Sequence, residues 1–197
     1  MFGAPVARGG NGPIFQIDLN QRKVGITAAQ KMFEILGGKR ARLVAFTGPS
    51  DVTEAHVRAG SFAAWMTNAS MDVVANVSCD ETAAADAMRH VTQVLDSHVK
   101  DGRLRLDGIF AADPPIALDV GHAVQSLRAR GITCRAVVVG YGDNPALVKL
   151  LRSKVIHVLL VPHPEEIGRL AVEVLARYLD GERIATPVDP GVGILGS

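Results

Sequence analysis

The segment that decides the fold is Leu106-Asp107-Gly108-Ile109-Phe110-Ala111-Ala112-Asp113-Pro114-Pro115-Ile116-Ala117-Leu118. Its apolar residues up to Ala112 are typical of a buried strand, and the two prolines end the strand because proline has no N–H for a sheet. The same prolines fit the first turn of a helix, where a helical pattern begins. Asp113 is therefore predicted to lie at the carboxyl end of a strand, the edge where ligands bind in open α/β sheets.

The same order of strand, turn and helix recurs on both sides of this segment. The apolar runs predict strands at residues 41–46, 71–77, 108–112, 134–139 and 155–161, with helices before, between and after them. Apolar strands that alternate with helices are typical of a parallel sheet covered on both faces. We therefore predict an α/β fold: a doubly wound, mainly parallel sheet of about five strands flanked by helices.

Turn residues set the predicted boundaries of these elements. Ser50 or Asp51 is expected to cap one helix and Asp80 the next, because their side-chain oxygens can accept backbone N–H groups. Asp101-Gly102 is expected to end the helix that Asp80 begins. The tail after Gly181 is rich in proline and glycine and is expected to be extended and loosely held.

Composition narrows the classes of function. The chain has 197 residues, 48% of them apolar and 21% charged, which is typical of a globular protein with one core. Its net charge of +1 gives no electrostatic basis for binding nucleic acid or an anionic membrane. No apolar run is long enough to span a bilayer, and the start of the chain has no signal-peptide pattern. Cys79 and Cys134 lack metal-ligand or redox spacing, so no metal or cofactor is predicted.

Five groups of motifs, taken in order, resemble a known family. From Pro5 onward the chain resembles the second half of a type I periplasmic sugar-binding protein, or the matching effector domain of a lac-repressor-like regulator. The motifs are Ile17-Asp18 with Val24-Gly25-x-x-Ala28-Ala29, Arg42–Gly48 with Arg58–Phe62, Asp107–Asp113, Val137–Asp143, and Pro164–Glu182.

The resemblance implies a division of the chain. Members of the family have two lobes joined by a hinge, and they clamp ligand between the lobes. By this resemblance, residues 1–23 are a lead-in and hinge strand, 24–161 the ligand-binding lobe, and 162–197 a hinge return, closing helix and extended tail. Most of the first lobe has no counterpart in the sequence.

The resemblance also implies ligand-binding residues: Arg58, Asp113, Tyr141, Asp143 and His163. The arginine would donate a bidentate fork to sugar hydroxyls, and Asp113 would accept from them. Four of these five residues have a plainer interpretation: an exposed helix arginine at Arg58, a helix N-cap at Asp113, a turn acid at Asp143 and a surface histidine at His163. The sequence also departs from the family, because Gly142 and not an acid follows Tyr141.

No enzyme signature is present, since the sequence lacks GxSxG, a Walker glycine loop and metal-ligand histidine spacing. The predicted function is non-catalytic capture of a small polar solute, for example a sugar, by a lobe that resembles the binding component of an ABC importer. The resemblance alone implies an ABC permease as partner. The alternatives are the effector domain of a regulator and a self-associating interaction module that has lost its ligand.

The remaining predictions concern location and association. The resemblance implies a periplasmic location for a binding protein and a cytoplasmic one for a regulator fragment. Four residues at helical spacing form an apolar stripe in residues 164–180: Ile167, Leu170, Val174 and Leu175. Because the lobe that would cover this stripe is not in the sequence, we predict a homodimer through it.

Overall fold

The computed structural model describes residues 15–49, 51–79 and 84–196. Its helices are α1 Gln21–Ile35, α2 Thr53–Asn68, α3 Ala84–Ser97, α4 Pro114–Ala129, α5 Pro145–Arg152 and α6 Pro164–Leu179. Its strands are β1 Arg42–Thr47, β2 Asp72–Ser78, β3 Val99–Lys100, β4 Arg103–Leu104, β5 Gly108–Ala111, β6 Val137–Tyr141, β7 Val158–Pro162 and β8 Val192–Gly196. No described helix is both long and apolar enough to cross a membrane.

The chain forms two compact units. The larger contains the described residues in the ranges 21–161 and 194–196, and the smaller contains the described residues up to Asn20 together with Pro162–Gly193. In the smaller unit the two chain segments are joined at Val188, which donates to Gln16 O at 2.8 Å and accepts from Asp18 N at 3.0 Å. The larger unit carries most of the sheet.

The main sheet has six strands in the order β2-β1-β5-β6-β7-β8. The pairs β2–β1, β1–β5, β5–β6 and β6–β7 are all parallel. The chain passes from β1 to β2 on one side and then returns to place β5 on the other side of β1. The order of strands therefore reverses between β1 and β5, which creates a crevice at their carboxyl ends. The predicted α/β fold is confirmed, with one strand more in the main sheet.

The core follows from the apolar strands. Every residue of β5 and β6 is buried, as in parallel sheets covered on both faces. Between α2 and the sheet, the rings of Phe62 and Phe110 stack with centroids 4.6 Å apart. The helix α1 lies so close to α2 that a Cβ on Gly25 would collide with the carbonyl of Arg58. This close approach helps to fix where α2 carries its arginine.

Two strands begin later than the sequence predicts. Strand β7 begins at Val158 and not at Val155, because the N–H groups of Val155 and Ile156 donate to Leu150 O at the end of α5. Those N–H groups are therefore not available to a sheet. Strand β6 similarly begins at Val137, three residues after Cys134.

The Asp101-Gly102 turn forms a hairpin that the sequence analysis does not predict. Asp101 has φ 51° and Gly102 has φ 67°, and the turn pairs β3 with β4 in antiparallel register. Positive φ at both central residues is the geometry of a type I′ hairpin, for which Asp-Gly is a strong sequence signal. The helix α3 already ends at Ser97, before β3, so the turn joins the two strands of a second small sheet and does not end the helix as predicted.

The tail is not loosely held, contrary to the prediction. Residues 192–196 form β8, the last strand of the main sheet, next to β7. The prolines and glycines that suggested irregular chain lie mainly before this strand. An edge strand gains its order from pairing with its neighbour, a property that composition does not show.

One predicted cap is also wrong. The N-cap of α2 is Val52, which makes no side-chain hydrogen bond to the helix, so Asp51 does not cap it. The other two predicted caps, Ser50 and Asp80, lie outside the described residues.

Candidate functional site

A cleft of about 580 Å³ lies in the larger unit at the reversal of strand order. The loop after β1 and the first turns of α2 and α4 form most of its wall. Parallel strands leave their carboxyl ends at one edge of a sheet, so the loops after β1 and β5 meet here. The cleft is lined by Gly48, Pro49, Val52, Arg58, Cys79, Ala87, Asp113, Pro114, Pro115, Ile116, Leu118, Asp119 and His122.

Asp113 is the N-cap of α4. Its Oδ1 accepts a hydrogen bond of 3.0 Å from the N–H of Ile116, and its Oδ2 accepts one of 2.5 Å from the N–H of Gly48. Asp113 is 5% exposed, and both of its carboxylate oxygens accept hydrogen bonds from buried backbone N–H groups. The cap interpretation therefore describes its structural role. A further bond to ligand would use the remaining lone pairs of the same oxygens.

Arg58 is buried, and the interpretation as an exposed helix arginine is wrong. Its side chain on α2 is 4% exposed, its Nε donates to Ala112 O at 2.7 Å, and its Nη1 donates to Gln21 Oε1 at 2.5 Å. The guanidinium carbon lies 4.0 Å from the centre of the Tyr141 ring. Within the described part of the chain, Nη2 has no hydrogen-bond partner. The guanidinium is thus fixed on one side and keeps free donors on the other.

Burial shifts the pKa of both members of this stacked pair, Arg58 and Tyr141. It lowers the pKa of Arg58, an effect that Tyr141 and Asp113 oppose. It also raises the pKa of Tyr141, an effect that the charge of Arg58 opposes. Because a guanidinium stays protonated in proteins and the phenol keeps its proton at neutral pH, the pair carries one positive charge over a neutral ring. A charged donor in a partly water-free cleft forms strong hydrogen bonds.

Asp119 adds an acid to the cleft that the sequence analysis does not single out. It lies on α4, where burial, with a smaller effect from Asp113, raises the pKa of its carboxyl group, and His122 opposes the shift. Gln21 was also missed, because its contact with Arg58 depends on how α1 packs against α2. For Asp119, its position on the first turns of a helix that begins at the crevice is the signal that points to the cleft.

The other two predicted residues lie elsewhere. Asp143 is exposed in the loop after β6, within electrostatic reach of Tyr141, whose pKa it raises. His163 belongs to the smaller unit, where its Nδ1 lies 3.0 Å from Glu165 Oε1. The structure therefore brings Arg58, Tyr141 and Asp113 together in one unit and places His163 in the other.

Gly142 explains the departure from the family pattern after Tyr141. It has φ 130°, and a Cβ at this position would lie 2.8 Å from Leu147 Cδ1 and 2.9 Å from Pro114 Cβ. An acidic side chain would need both a strained backbone and space that these residues occupy. The loop after β6 thus has no room for the acid that the family pattern would place here.

No group of three His, Cys, Asp or Glu side chains in the described ranges is placed to hold a metal ion. The polar groups of the cleft are instead one cationic fork, two carboxylates and an imidazole, beside several apolar side chains. Such a mixture can form hydrogen bonds with a small polar molecule and can contact its C–H groups.

The fold resembles solved solute-binding proteins. One is an ABC transporter solute-binding protein from Burkholderia graminis in complex with D-arabinose, with TM-score 0.73 and 22% sequence identity. The match covers 91% of this chain and 61% of that protein. Another is a glucose-galactose binding protein from Geobacillus stearothermophilus (TM-score 0.74, 16% identity, the same coverages). A third, from Actinobacillus succinogenes with bound D-allose, has TM-score 0.72 and 18% identity, with 91% of this chain and 60% of that protein covered.

This chain therefore spans about three fifths of the length of these structures. No curated protein sequence matches it. The family described as the periplasmic binding protein domain matches residues 7–183, which is most of the chain. The sequence motifs, the strand order and this match agree, and the chain belongs to the periplasmic binding protein domain family.

Proposed function

We propose that this chain binds a sugar in the cleft at the carboxyl ends of β1 and β5, as part of the periplasmic solute-binding component of an ABC importer. The observation that supports the proposal most strongly is the buried arginine fork of Arg58. Structures of similar fold hold D-arabinose and D-allose, and they are described as transporter solute-binding proteins. The proposed role is capture, with no chemical step.

Arg58 supplies the donors in this proposal. A sugar offers hydroxyl oxygens on neighbouring carbons, and a planar guanidinium can donate to two of them at once. Its Nε and Nη1 are already bonded to Ala112 O and Gln21 Oε1, so the fork has little freedom to lose when ligand binds. The Tyr141 ring packs against the guanidinium group, whose central carbon lies 4.0 Å from the centre of the ring.

Acceptors and apolar surface complete the proposed site. Asp113 and Asp119 carry oxygens that accept from sugar hydroxyls, although Asp113 shares its oxygens with two backbone N–H groups. Pro49, Val52 and Leu118 give the cleft apolar walls, against which the C–H face of a sugar ring can pack.

The proposal is tested by calorimetry with D-arabinose, D-allose, D-glucose and D-galactose. We expect at least one sugar to bind, and Arg58→Lys to weaken that binding by about tenfold or more, because lysine cannot supply a planar fork. Arg152→Lys is the matched control, since Arg152 is exposed on α5 and forms no ion pair with another described residue. Absence of binding by the folded chain, or equal weakening by both variants, would contradict the proposal.

Two variants of Tyr141 test how Arg58 is positioned. Tyr141→Phe keeps the aromatic face and should keep sugar affinity within a few-fold, whereas Tyr141→Leu removes the face and should weaken binding further. Thermal melts of both variants show whether the fold is retained. If leucine and phenylalanine behave alike, the ring does not position the arginine.

Self-association through α6 is a second proposal, and a specific observation favours it. Val172 is 71% exposed, Leu175 54% and Leu179 74%, so large apolar side chains on this helix face solvent. The stripe differs from the one that the sequence predicts, because Val174 is only 3% exposed. A second copy of the chain would cover the exposed residues by the hydrophobic effect.

A further inference from the structure

A second cavity, of about 490 Å³, lies in the larger unit at the amino ends of the strands, the edge opposite the cleft. It is formed where β1 begins, by the β3–β4 hairpin, and by residues that precede β5 and β6. Five of its nine lining residues are cationic: Arg42, Lys100, Arg103, Arg105 and Arg135. The chain has 21 basic and 20 acidic residues in total, so a cavity with five cations and a single carboxylate is a strong local excess.

The carboxylates near this cavity are already engaged. Asp107 Oδ2 accepts from the backbone N–H of Arg42 at 2.8 Å, and Asp72 Oδ2 lies 3.6 Å from Arg42 Nε. Asp101 Oδ2 lies 3.1 Å from Arg105 Nη2. The side chains of Arg42 and Arg105 are therefore each paired with a carboxylate.

The other three cations lack such partners. Across the described residues, Lys100, Arg103 and Arg135 form no ion pair with a carboxylate. Their charges are therefore compensated only by solvent and by whatever anion the cavity receives. Uncompensated like charges in one cavity raise its positive potential and attract anions.

The hairpin places two of these cations directly opposite each other. Lys100 and Arg103 are register partners of β3 and β4, and like charges in this position are destabilising. The hairpin is also held firmly, because Leu104 N donates to Thr133 O at 3.0 Å and Thr133 N donates to Gly102 O at 2.9 Å. This bridge holds Arg103 near Arg135, two residues beyond Thr133. The like-charge pairing thus belongs to an ordered element.

We propose that this amino-edge cavity binds a phosphate-bearing ligand. A phosphate group accepts several hydrogen bonds at once, and guanidinium groups match it with bidentate forks. The cavity volume is within the range of small-molecule sites. The phosphate group could belong to a soluble compound or to an anionic lipid headgroup, and the same cations would recognise it in both cases.

Calorimetry with inorganic pyrophosphate tests the soluble source, and co-sedimentation with phosphatidylglycerol vesicles, compared with phosphatidylcholine vesicles, tests the lipid source. We expect binding in at least one experiment, weakened about tenfold or more by the double variant Arg103→Gln/Arg135→Gln and reduced by added salt. Arg152→Gln is the matched control and should bind as the unchanged chain does. Pyrophosphate binding identifies the soluble source, and binding to the vesicles alone identifies the headgroup.

A stability measurement keeps the test independent of refolding problems in the double variant. Lys100→Gln removes the like-charge pair, so without anion it should melt at the same temperature as the unchanged chain or higher. With pyrophosphate or vesicles, whichever binds, the unchanged chain should gain more stability than Lys100→Gln. The proposal is overturned if neither probe binds, or if the double variant binds as tightly as Arg152→Gln. Sugar binding in the cleft is measured separately, so failure of one proposal does not imply failure of the other.

Discussion

The Asp113 carboxylate accepts the N–H of Gly48 at 2.5 Å, and this bond joins the carboxyl ends of β1 and β5 at the reversal of strand order. The same side chain caps α4 through its other oxygen. One buried acid thus holds together the two loops that border the cleft. Asp113 can therefore cap α4 and connect the two loops while it also lines the cleft.

Replacing Asp113 with asparagine should lower the free energy of unfolding by about 1–3 kcal/mol. An amide has only one oxygen, so it can accept from Gly48 or from Ile116, and its NH₂ group faces the other N–H. Urea unfolding measures the change. Asn144→Asp is the matched control, because the Asn144 side chain at the N-cap of α5 makes one hydrogen bond within the described residues: its Oδ1 accepts from Leu147 N at 2.9 Å, which either residue can do. A similar loss in both variants would mean that the second bond of Asp113 is unimportant.

Two glycine-to-alanine substitutions should act in opposite directions. Gly142→Ala forces a side chain onto φ 130° and against Leu147 and Pro114, so we expect a loss of about 1–3 kcal/mol. Gly60 lies on the exposed face of α2, and a Cβ at this position would have no neighbouring atom within 4 Å. Gly60→Ala should therefore stabilise the chain by about 0.5–1 kcal/mol, because alanine favours a helix more than glycine does. Denaturant midpoints of the two variants test this pair. A neutral Gly142→Ala would show that the loop can relax around a Cβ.

Protonation of His157 should destabilise the fold as pH falls. Burial, with a smaller effect from Arg128, lowers its pKa, and its Nδ1 accepts the N–H of Val138 at 3.0 Å, which only the neutral ring can do. Because the unfolded chain then binds the proton more tightly, this stability is present above about pH 6.5 and is lost as pH falls below it towards the lower pKa of the folded state.

The variant His157→Asn tests the origin of that pH dependence. Its Oδ1 can replace Nδ1 as acceptor and does not titrate, so stability between about pH 7.5 and pH 5 should depend less steeply on pH. Some slope should remain, since burial and Arg42 also lower the pKa of His98. Equal slopes in the variant and the unchanged chain would assign the effect to other groups.

Self-association through α6 is tested by sedimentation. If the proposal holds, the chain should be dimeric at concentrations of about tens of micromolar, and Val172→Glu/Leu179→Glu should make it monomeric without unfolding it, which a cooperative thermal melt would show. These residues are exposed, whereas a charge at the buried Val174 would also affect folding. Ile35→Glu, at an exposed apolar residue of α1, is the control and should leave the dimer intact. A monomeric unchanged chain would refute the proposal.

The sequence predicts the alternation of strands and helices well because each core strand is a short apolar run bounded by turn residues. It fails where order comes from pairing at a distance. Strand β8 depends on β7 as its neighbour, and the β3–β4 hairpin rests on Thr133. The hairpin still had a local signal, since Asp101-Gly102 matches the preferred type I′ turn.

The candidate site was predictable only in part. The position of Asp113 at the end of β5 follows from the prolines that end the strand. The burial of Arg58 does not, because its contacts with Gln21, Ala112 and Tyr141 join elements that are far apart in the chain. Periodicity places a residue on a helix face, but it does not show what that face packs against.

The pairing of β8 with β7 has a consequence for solubility. Strand β7 is Val-Leu-Leu-Val-Pro, and its first four residues have high strand propensity and carry no charge. If its edge were open, the unpaired N–H and C=O groups could template pairing with another molecule, which is the usual route to β-aggregation. Strand β8 occupies that edge. The open edge on this side of the sheet is therefore β8, whose two glycines give it a lower strand propensity than β7 and so reduce that risk.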